Sequence, residues 1–528
     1  MLNHADLPDD IDALKALLLA SEQTLRERDA VILAHDELVA GLRAQLTTTE
    51  VEIEHLKLMI AKLRRMQFGR KSEKLDHQIE QLELQLEDLQ ATEGEAERER
   101  PPVDKAPRNK PARKPLPEHL PRDEHVYQPE ADACPGCGGG LRHLGEDVAE
   151  QLEWIPGSFR VIRHVRPKLA CTCCDTIVQA PAPGRPIARG MAGPGLLAHV
   201  LVAKFADHLP LYRQSVIYAR EGVELERALL ANWVGAASAL LRPLVDAIRR
   251  HVLAGARLHA DDTPIPVLAP GHGKTKTARL WTYVRDDSAS GDTTPAAVWF
   301  AYTPDRKGIH PQTHLATFKG VLQADAYAGF NALYVDGTIQ EAACWAHARR
   351  KFHDLHAARP SAITTEALRR IAELYVIEAE IRGKPPHERQ QVREQRSRPL
   401  LDDFGSWLRA TLDKLSRKSD TAAAIQYALN LWPALLRYCD NGIIEIDNSA
   451  AERALRGVAI GRRNYLFAGA DSGGERAAAI YSLIGTAKLN GIGPEAWLRH
   501  VLAHIADHPV NRVDDFLPWN CAAQLPSA

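Results

Sequence analysis

A seven-residue hydrophobic repeat dominates the first part of the chain. It runs unbroken through Leu18, Leu25, Ile32, Val39, Leu46, Ile53 and Ile60. A companion seam has leucine at positions 14, 42, 56 and 63, with polar interruptions, and a shorter helical pattern covers positions 75 to 89. Sustained heptads predict a coiled coil over residues 11–90 and association between copies of the chain. The alternative is a long helix that folds back onto its own protein.

A proline-rich segment interrupts the helical pattern. Prolines at positions 101, 102, 107, 111, 115, 117 and 121 exclude regular helix, so residues 91–122 are predicted to be a linker. The linker is also basic, with Lys105, Arg108, Lys110, Arg113 and Lys114. It could lie along a phosphate backbone, although a solvated charge run is the commoner meaning of such a tract.

Two Cys-x-x-Cys pairs follow in a segment that alternates like β-strands. The pairs are Cys134 with Cys137 and Cys171 with Cys174. Four thiolates at this spacing suit a tetrahedral structural Zn²⁺ site, which predicts a zinc-binding domain over residues 123–182. Cys173 is a possible substitute for Cys174. A basic strand between the pairs could face DNA, with Arg160, Arg163, Arg166 and Lys168.

Residues 195–253 have a helical pattern broken by one glycine turn. One helix opens at the Leu209–Arg213 stretch, a turn contains Gly222, and another helix begins near Glu226. This order fits a DNA-binding helix-turn-helix. A plain helical hairpin inside a bundle is at least as good an interpretation, because glutamates around the turn would repel phosphate.

Strand patterns take over from residue 254, and some of these strands end in acids. We predict strands at residues 257–264, 279–284, 297–302 and 320–327, with a fifth near 341–345. Asp261 and Asp325 lie on the first and fourth, and Glu452 lies on a later helix that starts near Asp447. This order predicts a ribonuclease-H-like α/β core, in which the first and fourth strands are neighbours. The core would span residues 254–358 and 441–490, with a helical insertion at 359–440 and a tail at 491–528.

Three converging carboxylates suit Mg²⁺ or Mn²⁺, and a pair of such ions promotes phosphodiester chemistry. We therefore predict Asp261, Asp325 and Glu452 as metal ligands and catalytic residues. Each has a simpler alternative. A strand-end aspartate often forms a turn, and Glu452 could close a capping box with Ser449 or pair with Arg456.

Composition adds limits on location and partners. The chain has 528 residues, which predicts several domains, and a net charge of −2, with 66 Lys and Arg residues available for local basic surfaces. The N-terminus lacks the features of a signal peptide, and no long apolar run stands out as a membrane span. We therefore predict a cytoplasmic protein with reduced cysteines and no membrane partner.

Several motifs together resemble one family, the bacterial insertion-sequence transposases of the IS-sixty-six type. The motifs cover nearly the whole chain and lie at positions 68–73, at the two cysteine pairs, and at 209–213, 260–264, 323–327, 344–352 and 447–453. The resemblance implies a DDE transposase in which Asp261, Asp325 and Glu452 are the acidic residues. Asp262 replaces a usual Glu, and Ala326 replaces a usual Gly.

The resemblance also implies an activity and its partners. The family cleaves and joins DNA at terminal inverted repeats, inserts it into target DNA and usually works with accessory proteins of the same element. The residues predicted to bind DNA phosphates are Arg453, Arg456, Arg462, Arg463 and Lys488. The alternative for each is that it is an ordinary solvated surface residue. Two other functions stay open: a ribonuclease-H-like DNA nuclease without strand transfer, and a non-catalytic zinc-containing DNA-binding regulator.

Overall fold

The computed structural model describes residues 115–525, except for 130–131, 156, 189, 270–273 and 465–467. Before position 96 it describes residues 15, 23, 52–57, 59–60, 82, 85–92 and 94–95, all helical. Most of the predicted coiled coil and linker therefore lies outside the described residues. The chain divides into two compact units, Met1–Leu82 and Glu83–Ala528. In the first unit, Ile53, Leu56 and Ile60 are buried, as a helical hydrophobic seam requires.

The cysteine-containing part of the chain forms a small mixed sheet. Its strands are β1 (Arg122–Val126), β2 (Leu141–Ile155), β3 (Ser158–Cys171) and β4 (Ile177–Gln179). Strand β3 lies between β1 and β2 and also pairs with β4; only its pairing with β1 is parallel.

The basic residues of β3 do not form a free cationic face. Arg160 pairs with Asp123 and Arg163 with Glu124, while both Arg166 and Lys168 contact Asp147. Four cations matched by three carboxylates leave little net positive charge on this surface. The suggestion that this strand faces DNA therefore loses its electrostatic basis.

Three helices follow: α1 (Pro194–Phe205), α2 (Leu211–Arg220) and α3 (Arg227–Leu253). The turn between α2 and α3 contains Gly222 at φ 81°, a conformation that glycine adopts without strain. The first turns of α3 bury Leu230, Ala231 and Trp233 in the main hydrophobic core. This burial favours the helical-hairpin interpretation over a helix that enters a DNA groove.

Helix α3 was not singled out as apolar by the sequence analysis. Among the described residues it is the one helix long and apolar enough to cross a membrane, with a mean hydropathy of 1.4 in its best window. However, 67% of that window is buried inside the protein. A core helix passes the same test of length and composition, and its burial here is typical of one.

A five-stranded mixed sheet forms the centre of the second unit. Its strands are β5 (Arg257–Ala269), β6 (Lys274–Arg285), β7 (Ala297–Thr303), β8 (Gly320–Gln323) and β9 (Ile339–Ala342). Their spatial order is β7-β6-β5-β8-β9. The pairs β5–β6 and β6–β7 are antiparallel, whereas β5–β8 and β8–β9 are parallel. The first and fourth strands of the sheet are therefore neighbours.

Helices cover this sheet and build a second core beside it. Helix α4 (Ile309–His314) precedes β8, and α5 (Trp345–Ala358) follows β9. The next helices are α6 (Ala362–Ile381), α7 (Pro386–Val392), α8 (Arg398–Leu412), α9 (Asp420–Asn430) and α10 (Trp432–Asp440), with a π-helical turn at Arg393–Ser397. They bury Trp345, Phe404 and Trp432 in one aromatic cluster.

The chain then returns to the central sheet. The last helices are α11 (Ser449–Asn464), α12 (Asp471–Leu489), α13 (Pro494–His504) and α14 (Pro518–Cys521). The hydroxyls of Ser482 and Thr486 on α12 accept hydrogen bonds from the backbone N–H groups of Phe300 and Val298 on β7. Leu455 and Val458 of α11 pack against Leu280 of β6, so α11 is fixed against the sheet by its buried face.

Candidate active site

Strand pairing brings the two predicted aspartates to the same place. Strands β5 and β8 run parallel, with His259 opposite Gln323. Asp261 and Asp325 each follow two residues beyond that pair. Burial raises the pKa of Asp261 to about 7, and the charges of Asp325, Asp262 and Glu452 add to the rise. The charges of Asp325 and Glu452 therefore both act on Asp261, although among the described residues the three carboxylates do not all lie within 4.8 Å of one another.

Asn448 fixes the beginning of the Glu452 helix against β5. Its side-chain NH₂ donates to the carbonyl of Ala260 at 2.7 Å, and its Oδ1 lies 3.0 Å from Nδ1 of His259. Its backbone N–H donates to Sγ of buried Cys344 at 3.1 Å. Asn448 is fully buried, so these bonds are shielded from water and hold α11 in one position relative to Asp261.

Glu452 lies in the first turn of α11, where its carboxylate faces α5. Its Oε1 is 3.7 Å from Nδ1 of His347, and its Oε2 is 3.8 Å from a guanidinium nitrogen of Arg350. Both Oε1 and the facing Nδ1 are buried without a hydrogen-bond partner among the described residues. A buried carboxylate oxygen without a hydrogen-bond partner is a position that a cation would satisfy.

The two simpler interpretations of Glu452 find no support in these contacts. The backbone N–H that a capping box would offer, that of Ser449, donates instead to Oδ1 of Asp447 at 3.0 Å. In the described part of the chain, the ion-pair partners of Glu452 are His347 and Arg350 on α5, not Arg456. Glu452 is therefore directed away from its own helix.

Asp262, the neighbour of Asp261, has a different environment. Its side chain is only 1% exposed. It accepts hydrogen bonds from Arg279 at 3.0 Å and from two nitrogens of Arg306, at 3.0 and 2.7 Å. Adjacent residues on a strand point to opposite faces, and these two arginines neutralise Asp262. Nothing in the local sequence pattern marks either arginine as a partner of Asp262.

Asp325 forms a turn and also remains accessible as a possible metal ligand. Its Oδ1 accepts the backbone N–H of Tyr327 at 3.2 Å, as in a turn. Its Oδ2 is 3.8 Å from Arg306, whose guanidinium stacks 4.0 Å from the Tyr327 ring centroid. The turn leaves the side chain 24% exposed, so it is accessible to a ligand from solvent.

The predicted phosphate-binding cations are distributed along two helices. Arg453 and Arg456 are exposed on α11, and Arg453 approaches Asp286 at 3.9 Å. Arg462 and Arg463 belong to α11 by their backbone, while their side chains lie outside the described part of the structure. Lys488 is exposed in the last turn of α12; burial lowers the pKa of His208, and the charge of Lys488 contributes to that lowering.

The two cysteine pairs meet at one end of the small sheet. Sγ of Cys134 lies 3.3 Å from that of Cys174, and Sγ of Cys137 lies 3.4 Å from that of Cys171 and 3.3 Å from that of Cys174. All four sulfurs lie within 4.8 Å of one another. Four thiols this close form the donor set of a tetrahedral zinc site.

The backbone around this cluster explains why Cys174 belongs to it and Cys173 does not. The N–H of Cys173 donates to Sγ of Cys171 at 3.3 Å, which turns the chain so that the Cys174 sulfur faces the other three. Hydrogen bonds with Thr176 are the largest influence that lowers the pKa of Cys174 to about 6. Gly138, at φ 71°, closes the turn after the first pair.

Comparison with known sequences agrees with this combination of a four-cysteine cluster and an acidic α/β core. A family profile described as "Transposase IS66 family" matches residues 189–476. Further profiles match residues 55–124 ("Transposase C of IS166 homeodomain"), 131–175 ("zinc-finger binding domain of transposase IS66") and 482–519 ("IS66 C-terminal element"). The chain therefore belongs to the IS66 transposase family, as the motifs indicated. It carries the family's zinc-finger domain, which together with the cysteine cluster supports structural Zn²⁺.

Similar proteins occur in Sinorhizobium fredii (strain NBRC 101917 / NGR234). "Uncharacterized protein y4hP" is 45% identical over 488 residues, covering 88% of each chain. "Uncharacterized protein y4qI" is 40% identical over 532 residues, covering 98% of each chain. The likeness thus extends over almost the entire length of both proteins, and their names state no activity.

Proposed function

We propose that this protein is a DDE-type transposase that cleaves DNA at the ends of an insertion sequence and joins them to target DNA. The observation that carries the proposal is that Asp261 is buried within the influence of the charges of Asp325 and Glu452, which together raise its pKa to about 7. Burial disfavours the ionised form of Asp261, and the two further carboxylates add to that cost. Such an arrangement is costly unless a cation occupies it during function.

The core is of the ribonuclease-H-like class. Supporting this, three antiparallel strands are followed by two parallel strands in the order β7-β6-β5-β8-β9. Asp261 lies on β5, Asp325 follows β8 and Glu452 lies on α11. This is the distribution expected from the sequence for that class. The helices α6 to α10 separate the strands from α11 and form the insertion.

Asp261, Asp325 and Glu452 would hold Mg²⁺ or Mn²⁺, hard cations that prefer carboxylate oxygens. When bound, a pair of these ions activates the attacking hydroxyl and stabilises the leaving oxygen of a phosphodiester. The chain orients the ligands through the buried contacts of Asn448. Exposed Arg453 and Arg456, with Arg462, Arg463 and Lys488, would bind DNA phosphates and hold the scissile bond in line.

The partners follow from the same proposal. The DNA substrates are the terminal inverted repeats and the target, and the accessory proteins are those of the same element. The heptad pattern supports a homo-oligomer formed through the coiled coil. Ile53, Leu56 and Ile60 are already covered within one chain, which fits the alternative of a helix that folds back onto its own protein. The protein would act in the cytoplasm, where its zinc-ligating cysteines stay reduced.

The test is Mg²⁺-dependent nicking and joining of a labelled element-end duplex, with accessory proteins supplied. Glu452→Gln removes one charge without changing side-chain size and should abolish both reactions while duplex binding persists. Glu475→Gln is a matched control, because Glu475 is an exposed residue near the start of α12. It should cut and join like the unsubstituted protein.

Other outcomes would favour the alternatives. If Glu452→Gln cuts as well as the unsubstituted protein, the carboxylate cluster is not the catalytic centre. Cutting that depends on Glu452 but is never followed by joining would indicate a nuclease. A protein that binds the duplex and never cuts would be a zinc-containing DNA-binding regulator.

A further inference from the structure

The N-termini of helices α5 and α11 bring together a thiol, an imidazole and a carboxylate. Cys344 immediately precedes α5, and His347 lies three residues later, which places both on the same side of the first helical turn. Glu452 faces them from α11. One ligand atom from each residue lies within 4.8 Å of the other two.

Two of the three donor atoms of this cluster lack a hydrogen-bond partner among the described residues, while Sγ of Cys344 accepts the backbone N–H of Asn448 at 3.1 Å. Nδ1 of His347 and Oε1 of Glu452 face each other at 3.7 Å, and both are buried. Two buried, unbonded polar atoms at this distance are too far apart for a direct hydrogen bond. They are close to the roughly 3.4 Å expected when each lies about 2.0–2.1 Å from one tetrahedral metal ion.

The two helix ends are also held in place by their surroundings. The backbone N–H of Trp345 donates to the carbonyl of Ile446 at 3.0 Å, which ties the start of α5 to the segment before α11. Cys344 is only 4% exposed, so its sulfur cannot rotate freely into solvent. The side chains of His347 and Glu452 are 22% and 31% exposed through their other atoms, so the two buried ligand atoms lie close to the surface.

We propose that Cys344, His347 and Glu452 form a second transition-metal site, distinct from the four-cysteine cluster. The set of sulfur, nitrogen and oxygen donors selects a borderline ion such as Zn²⁺ or Co²⁺ over Mg²⁺. Three protein ligands leave one position for water. Binding releases the thiol proton to solvent, and the thiolate, imidazole nitrogen and carboxylate each donate an electron pair.

The site shares one residue with the proposed catalytic centre. A borderline ion bound through Oε1 of Glu452 competes with Mg²⁺ for that carboxylate and lowers DNA cleavage; this consequence rests on the proposed function. Arg350, 3.8 Å from Oε2, opposes any cation here and keeps the affinity below that of the four-thiolate site. The binding itself needs neither DNA nor catalysis.

The experiment uses the full chain with one equivalent of Zn²⁺ in the four-cysteine cluster. Co²⁺ is then added without DNA, and cobalt absorption and bound metal are measured. We expect one further equivalent and a thiolate-to-cobalt charge-transfer band. Cys344→Ser should remove the band, and His347→Ala should weaken binding about tenfold or more.

Two substitutions serve as matched controls. Cys439→Ser changes a buried thiol on α10, and His353→Ala changes a histidine further along α5 whose side chain is 54% exposed. Both should bind cobalt like the unsubstituted protein. A melting temperature close to that of the unsubstituted protein shows that each variant is folded.

The proposal is overturned if the zinc-loaded protein takes up no further cobalt, or if the band survives in Cys344→Ser. A failure of DNA cleavage would leave both measurements unaffected. The two proposals can therefore fail separately.

Discussion

The side chain of Asn448 donates a hydrogen bond of 2.7 Å to the carbonyl of Ala260, the residue before Asp261. This one contact links the strand that carries the first candidate acid to the start of the helix that carries the third. Because Asn448 is fully buried, the link is not exchanged for water. The spacing between Asp261 and Glu452 therefore depends on a residue that touches no substrate.

Asn448→Ala should lower both stability and DNA cleavage. It leaves the Ala260 carbonyl and the His259 ring without their partner, at a cost of about 1–3 kcal/mol in the free energy of unfolding. Denaturant unfolding and the nicking assay measure the two effects. Asn490→Ala is the control, since the side chain of Asn490 also donates to two backbone carbonyls, those of Ala296 and Thr486. Asn490→Ala should lower stability but lower DNA cleavage per folded molecule less than Asn448→Ala does. Equal losses of cleavage in the two variants would contradict the positioning role of Asn448.

The pKa of Asp261 predicts how stability changes with pH when divalent ions are absent. The pKa rises from an ordinary 3.8 to about 7 in the folded protein, so the unfolded chain loses this proton first. The free energy of unfolding should therefore fall as pH rises from about 4 to about 7, by on the order of 4 kcal/mol at most. The carboxylate cluster is then fully charged and stays strained at higher pH.

Asp261→Asn should remove that pH-dependent loss. Without divalent ions, its melting temperature should exceed that of the unsubstituted protein at pH 8 and approach it at low pH. Mg²⁺ should stabilise the unsubstituted protein at pH 8 and have little effect on the variant. Thermal melts with and without Mg²⁺ test both statements, and a variant that is less stable at pH 8 would refute them.

Asp262→Asn, unlike Asp261→Asn, should be less stable than the unsubstituted protein. Removing this charge leaves Arg279 without the Asp262 carboxylate and leaves Arg306 with Asp325, 3.8 Å away, as its remaining acidic neighbour. We expect a loss of about 1–3 kcal/mol, because both arginines are partly exposed. Stabilisation by Mg²⁺ should persist, since Asp262 is already neutralised. If Mg²⁺ no longer stabilises Asp262→Asn, Asp262 rather than Asp261 is the metal ligand.

Substitution of the two adjacent cysteines should separate their roles in zinc binding. Cys174→Ser removes a sulfur from the cluster and should reduce zinc retention against a chelator and the stability of the β1–β4 sheet. Cys173→Ser is the matched control, because its exposed side chain lies outside that cluster. It should retain one equivalent of zinc. Measured zinc content after dialysis decides between them, and loss in both variants would contradict the assignment.

Much of the architecture was predictable from sequence because it depends on local patterns. The alternation of residues in β5, β6 and β7 and the spacing of the cysteine pairs act over short stretches of chain. The family motifs also lie within short stretches, so they indicated the IS66 family before any contact was known. The strands next to Asp261 and Asp325 were predictable for the same reason, but their ends were not. Strand β5 continues to Ala269, so Asp261 lies within it, and β8 ends at Gln323, two residues before Asp325.

The sequence by itself therefore determined the kinds of elements, the cysteine pairs and the family. Only the tertiary structure decided which charges meet. Arg279 and Arg306 neutralise Asp262, while His347 and Arg350 face Glu452, across 17 to 105 residues of chain. The tertiary structure also determines that α3 is buried and that the basic residues of β3 pair with acids. Electrostatic partners depend on distance in space, and packing of the whole sheet sets that distance.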